Sequence, residues 1–132
     1  MALMVEISVG ELLDKITILE IKSERITDPA KLANVRTELQ ALRDTWAASP
    51  LSQGDIAGPL GRLKAVNEKL WDIEDGIRDL EAAGDFGERF IALARSVYFS
   101  NDERAAIKRE LNRMLGSRLV EEKSYTDYGR PR

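Results

Sequence analysis

Basic and polar side chains recur at intervals of three and four residues late in the chain, which places neighbours on one face of a helix. They are Arg95, Tyr98, Asn101, Arg104 and Lys108. Arginine grips a phosphate or carboxylate through two hydrogen bonds, lysine adds a point charge, and the free N–H groups at a helix start also favour an anion. We therefore predict a binding site for a small anion, which Lys22 and Arg25 join if the first helix packs alongside. The open alternative is a surface on which these cations pair with the chain's own carboxylates.

A tryptophan stands beside a charged pair in the middle of the chain. Glu74 precedes Arg78 by four residues, which is the favourable order for an ion pair on a helix. Trp71 lies one turn earlier, and tryptophan is enriched among the anchors of binding interfaces. Trp71, Glu74 and Arg78 therefore form a second candidate binding site. The structural alternative places Trp71 in the core with its N–H bonded to a carboxylate such as Glu74.

Acidic residues form a stripe along the same segment. Glu68, Asp72, Asp75 and Asp79 are spaced by four, three and four residues, and carboxylate oxygens are the ligands that Mg²⁺ prefers. The stripe resembles the metal site of all-helical nucleotide pyrophosphohydrolases, in which E-x-x-E is followed by E-x-x-D. This chain has the D-x-x-D of Asp72 and Asp75 alone. A solvated helix face is the simpler interpretation, and a metal-dependent nucleotide hydrolase is the weakest of our hypotheses.

The composition restricts the chemistry. The 132 residues contain no cysteine and no histidine, which excludes thiolate nucleophiles and removes the commonest acid–base group near neutral pH. Neither a phosphate-binding glycine loop nor a nucleophile elbow occurs in the sequence. We therefore predict no cofactor and favour a non-enzymatic protein.

Charge and hydropathy restrict the partners. The net charge of −3 argues against a nucleic-acid partner, because such proteins usually carry a basic excess. The start of the sequence lacks the basic and apolar regions of a signal peptide. No stretch approaches the roughly 18 apolar residues that cross a bilayer. We expect a cytoplasmic protein without membrane association.

The hydrophobic pattern predicts an all-α fold, a bundle of about five helices without a sheet. Ser8 and Glu11 match a capping box at the start of the first helix. That helix has apolar residues on two faces, so we expect it at the centre of the bundle. Asp28 and Pro29 are the residue types that open a second helix.

The second and third helices, at about 29–47 and 56–83, carry matching apolar stripes. Matching stripes on successive helices indicate a long antiparallel hairpin with coiled-coil-like packing. Gly76, in the middle of the third helix, permits a close helix crossing at a cost of roughly 1 kcal/mol relative to alanine. Gly84 fits the end of that helix.

A fourth helix is predicted at about 86–97. Ser100 and Glu103 then repeat the capping-box pattern, which predicts a fifth helix. We expect residues 1–118 to form a single helical domain. Residues 119–132 are predicted to be an extended C-terminal tail that is partly docked.

Three segments together resemble a bacterial family catalogued as a domain of unknown function. They are SVGELLDKITILEIKSERI at 8–26, LWDIEDGIR at 70–78, and FIALARSVYFSNDERAAIKRELN followed by GSRLVEEKSY within 90–125. The resemblance implies a small bacterial protein. It implies no activity, cofactor or catalytic residue.

Two main functional hypotheses remain open. The first is a non-enzymatic helical interaction module, a homo-oligomer or a binder of a protein partner, because five helices bury less apolar surface than the pattern offers. The second is a binder of, or enzyme on, a small anionic metabolite at the Arg95–Lys108 cluster. A pocket there with few carboxylate partners favours the second hypothesis, and a flat, self-paired surface favours the first.

Overall fold

Four α-helices make up the part of the chain that a computed structural model describes, residues 1–129. They are α1 (Val9–Arg25), α2 (Pro29–Ala48), α3 (Ala57–Ala83) and α4 (Glu88–Met114), with a short 3₁₀ turn, Pro50–Gln53, before α3. No strand occurs within these residues, which confirms the all-α class. None of the helices in this range combines the length and the apolar character that crossing a membrane requires.

The helices predicted as fourth and fifth are one continuous helix, α4. It runs through Ser100 and Glu103 without interruption, so the predicted helix start at Ser100 is wrong. The physical reason is that no glycine or proline lies between Gly87 and Gly116, and nothing else in that stretch stops helical hydrogen bonding. The Ser100 side chain is buried at 1% exposure instead of capping a helix.

The other helix ends lie where the nearby sequence predicts them. Ser8 caps α1 by accepting a hydrogen bond from the backbone N–H of Glu11 at 3.2 Å. Asp28 caps α2 by accepting one from Ala30 at 3.2 Å. Gly84 ends α3 in the left-handed region, with a φ of 67°, which side chains other than glycine adopt at a steric cost.

Helix α1 lies at the centre of the bundle and packs against α2, α3 and α4. Its apolar side chains Leu13, Ile16, Leu19 and Ile21 are all exposed by 7% or less. Each fully buried side chain of this size stabilises the fold by about 1.5–3 kcal/mol through removal from water. The predicted central position of the first helix is therefore confirmed.

The long hairpin is formed by α3 and α4, and the prediction of a hairpin between the second and third helices is wrong. No Cα atom of α2 comes within 8 Å of one in α3. Both helices instead pack on α1, and Leu39 of α2 belongs to the same core as Leu63 of α3. An apolar stripe shows that a helix buries one face, but it does not say which neighbour covers that face.

Helices α3 and α4 run antiparallel. Close to their connection, a methyl group at Gly76 would come within 2.9 Å of Leu93 Cδ1, which confirms the close crossing predicted at this glycine. Far from the connection, Arg62 Nη2 donates to the Glu110 carboxylate at 2.9 Å. The pairing holds the two helices in one register along their length.

The two ends of the described chain lie side by side. Arg118 forms an ion pair with Glu6, and farther along the tail Glu121 and Tyr128 contact α4. The predicted tail continues through residues 130–132, which lie outside the described residues.

Candidate functional site

Polar side chains are buried where α1, α3 and α4 meet. Asp14, Thr17 and Asn67 are exposed by 5%, 1% and 4%. Asn67 Nδ2 donates to Asp14 Oδ1 at 2.8 Å and to Thr17 Oγ1 at 2.9 Å. Because these two acceptors take both amide hydrogens, the Asn67 carbonyl oxygen must point the other way, toward α4. It accepts a hydrogen bond from Arg104 Nη1 at 3.2 Å.

Arg104 is positioned by amide oxygens. Besides the bond to Asn67, its Nη2 donates to Asn101 Oδ1 at 2.8 Å. Within residues 1–129, no carboxylate forms an ion pair with Arg104. A guanidinium has five N–H donors, so most of them remain available. Its position is therefore fixed while its charge is uncompensated by a direct partner.

Lys108, in contrast, is used in internal ion pairs. Its ammonium lies 2.7 Å from Glu11 Oε2, 2.9 Å from Glu121 Oε2 and 3.6 Å from Asp14 Oδ2. Burial disfavours its charge, but the hydrogen bonds to Glu11 and Glu121 outweigh that effect and raise the pKa of Lys108. The hydrogen bond from Lys108 in turn lowers the pKa of Glu121. Lys108 thus joins α1, α4 and the tail.

A cleft of about 450 Å³ opens beside this network, between α1, α3 and α4. Its volume falls in the range of sites for small molecules. The apolar part of its lining comes from all three helices. It consists of Ile18, Ile21, Leu70 and Val97.

The cleft unites parts of both predicted sites. Lys22, Asn101 and Arg104 of the predicted anion site line it, and so do Trp71 and Glu74 of the second candidate site. Sequence spacing alone could not show this, because the two sets are carried by different helices.

A family of unknown function, DUF6165, has a model that matches residues 3–130 of the chain. The chain belongs to this family. The match confirms the family resemblance and spans all three helices that form the cleft. Comparisons with curated proteins and with solved structures found no match.

Two residues predicted for the anion site of this DUF6165 chain lie elsewhere on α4. Arg95 Nε donates to the Tyr98 hydroxyl at 3.4 Å, and the Arg95 guanidinium lies 5.9 Å from the centre of the Phe99 ring. Neither Arg95 nor Tyr98 is among the described residues that line the cleft. The helix start that was expected to favour an anion at this point does not exist, because α4 is continuous.

Arg25 and Arg78 also lie apart from Arg104. Arg25 Nη1 lies 2.5 Å from Asp72 Oδ1 and its guanidinium lies 5.7 Å from the centre of the Trp71 ring. The hydrogen bond to Asp72 raises the pKa of Arg25. Arg78 forms the predicted ion pair with Glu74 at 3.5 Å.

The acidic stripe has no metal-site geometry in the described part of this DUF6165 chain. No three acidic side chains there come close enough together to hold a metal ion. Of the candidate pair Asp72 and Asp75, Asp72 is bonded to Arg25. The stripe therefore gives no support to the nucleotide hydrolase hypothesis.

Sequence reasoning missed the buried residues that position Arg104. Asn67 falls on the apolar stripe of α3, four residues after Leu63 and three before Leu70. Asp14 and Thr17 similarly interrupt the apolar residues of α1. Polar residues inside the apolar faces of two helices would have been the signal, because buried polar groups need partners.

Proposed function

We propose that this DUF6165 chain binds a small organic anion in the cleft between α1, α3 and α4. Arg104 is the principal anchor, Asn101 positions it, and Lys22 supplies a second cation. The observation that carries the proposal is the state of Arg104, which amide oxygens orient at 2.8 Å and 3.2 Å while no carboxylate pairs with it in the described chain.

The surroundings of Arg104 strengthen an ionic hydrogen bond. The cleft lining is largely apolar, and charges interact more strongly where water is partly excluded. Pre-orientation by Asn67 also reduces the side-chain entropy that is lost when a ligand binds. Lys22 forms no ion pair within the described residues, so it is free to add charge.

The test is a thermal-shift and calorimetric screen with inorganic phosphate, phosphate monoesters, and mono- and dicarboxylates. A ligand present at one hundred times its Kd stabilises the folded state by about 2.7 kcal/mol, which raises the melting temperature measurably. We expect Arg104→Ala to weaken the best hit by about tenfold or more, since a hydrogen bond to a charged group contributes about 1.5–3 kcal/mol.

Arg95→Ala is the matched control, because it removes the same charge from α4 outside the cleft. Its affinity for the hit should remain that of the unmodified protein. A hit that Arg104→Ala leaves unchanged, or that both variants weaken equally, contradicts the proposal.

A second candidate function is self-association through residues 1–7. Leu3, Met4 and Val5 are exposed by 92%, 97% and 78%. Within the described chain, residues 1–7 make no hydrogen bond between backbone groups. An exposed apolar segment with unpaired backbone is suited to pair with its copy across a twofold axis.

Sedimentation velocity at micromolar concentration tests this second candidate. The unmodified chain should sediment as a dimer, and the Leu3→Asp, Val5→Asp double variant should sediment as a monomer. An unmodified chain that is monomeric throughout the concentration range rejects the dimer.

A further inference from the structure

The cleft contains carboxylates as well as cations, and the two kinds of charge lie toward opposite ends. Arg104 is bonded to Asn67, whereas Glu74 and Asp75 line the cleft seven and eight residues farther along α3. At 1.5 Å per residue, this places about 10–12 Å between the two ends along the helix axis.

Apolar surface separates the two charged ends. Leu70 and Trp71 stand between Asn67 and Glu74 on α3, and Val97 faces them from α4. The lining as a whole therefore has a cationic end, an apolar middle and an anionic end.

The carboxylates at the anionic end have little internal compensation. Asp75 forms no ion pair or hydrogen bond within the described residues, and Glu74 is paired with the exposed Arg78 at 3.5 Å. A ligand with a second anionic group would place that group against two like charges, which costs affinity. A ligand ammonium at the same position would find two acceptors.

We infer that the ligand of this cleft is a zwitterion with charged ends about 10 Å apart. Its anionic group binds Arg104, its ammonium binds Glu74 and Asp75, and its apolar chain passes over Trp71. The inference rests on the proposed function and adds the second charge and the spacing. Long ω-amino carboxylates and extended tripeptides have this spacing, since an extended residue spans about 3.3–3.6 Å.

The test compares three probes of equal chain length: ω-aminooctanoate, octanedioate and octanediamine. Calorimetry on the full chain should give the tightest binding for ω-aminooctanoate, by about tenfold over octanedioate, because two partly exposed carboxylates attract the ammonium and repel a second carboxylate. The double variant Glu74→Gln, Asp75→Asn should abolish this preference. Asp79→Asn with Glu81→Gln is the control, because it makes the same charge change on exposed positions of α3 outside the cleft.

The outcomes separate the inference from the proposed function. If octanedioate binds as tightly as ω-aminooctanoate and Arg104→Ala weakens both, the zwitterion inference is overturned and anion binding stands. If the control pair removes the preference as fully as Glu74→Gln, Asp75→Asn does, the assigned ammonium site is overturned. If ω-aminooctanoate does not bind at millimolar concentration, the inferred spacing is wrong, and the anion screen with Arg104→Ala then decides the proposed function.

Discussion

Replacing Asn67 with leucine tests whether the buried amide holds α1, α3 and α4 together. Leucine has a similar size and suits the apolar stripe of α3, so the change removes hydrogen bonds with little change in volume. Asp14 would lose a donor at 2.8 Å, and Arg104 would lose an acceptor at 3.2 Å. We therefore expect Asn67→Leu to lower both the free energy of unfolding and the affinity for an anionic ligand.

The magnitude follows from the three bonds that Asn67 makes. Two are to charged groups, which contribute about 1.5–3 kcal/mol each, and the bond to Thr17 contributes about 1 kcal/mol. The apolar burial of leucine offsets about 1.5–3 kcal/mol, and solvent near the half-buried Arg104 weakens that bond. We expect a net loss of about 3 kcal/mol, or roughly 10 °C in melting temperature for a domain of this size.

Urea unfolding followed by far-ultraviolet circular dichroism measures the loss. Asn34→Leu, on an exposed position of α2, is the control and should change stability by less than about 0.5 kcal/mol. In an Asp14→Ala background, Asn67→Leu should cost at least about 1 kcal/mol less, because one bond is already gone. A loss below about 0.5 kcal/mol in the unmodified background, or equal losses in both backgrounds, refutes the argument.

Three further changes test the packing and the ion pairs. Gly10→Ala should destabilise the protein by about 2 kcal/mol in urea unfolding, because the new methyl group would lie 2.6 Å from the Lys108 carbonyl oxygen; unchanged stability would show that α1 and α4 separate easily. The lowered pKa of Glu121 stabilises the fold above the unfolded pKa of about 4.3, and this contribution is lost as the pH falls through the folded pKa. Acidification should therefore narrow the stability difference between the unmodified protein and Glu121→Gln, and a difference independent of pH would contradict that sign. Ser100→Ala removes a buried hydroxyl that has no partner in the described chain, so stability should stay the same or rise by up to about 1 kcal/mol; a clear loss would mean that the hydroxyl forms a hydrogen bond.

Features that depend on neighbours in the sequence were predictable. The caps at Ser8 and Asp28 and the left-handed Gly84 are examples, because each is decided within a few residues. The same local rule was wrong at Ser100, where the capping-box pattern lies inside a continuous helix. A capping box favours a helix start only where the preceding residues do not already form a helix.

Features that depend on which helices meet were not predictable from one sequence. The stripe containing Leu39 and the stripe containing Leu63 fit each other as well as they fit α1, so the pattern did not decide between them. The predicted anion site had the right chemistry in Arg104 and Lys22. It also included Lys108, whose charge is used by Glu11 and Glu121, because partners distant in sequence leave no mark on local spacing.

The helices have unequal lengths, and this determines where the molecule opens first. Helices α3 and α4 have 27 residues each and α1 has 17, which gives lengths of about 40 Å and about 25 Å. Beyond the contact of Arg25 with Asp72, the far end of the hairpin is covered by no third helix in the described chain. Amide hydrogens there should exchange with solvent sooner than those beside Leu63, because little apolar contact opposes local opening. The carboxylate end of the cleft lies at this boundary, so small molecules can enter there while the interior stays closed.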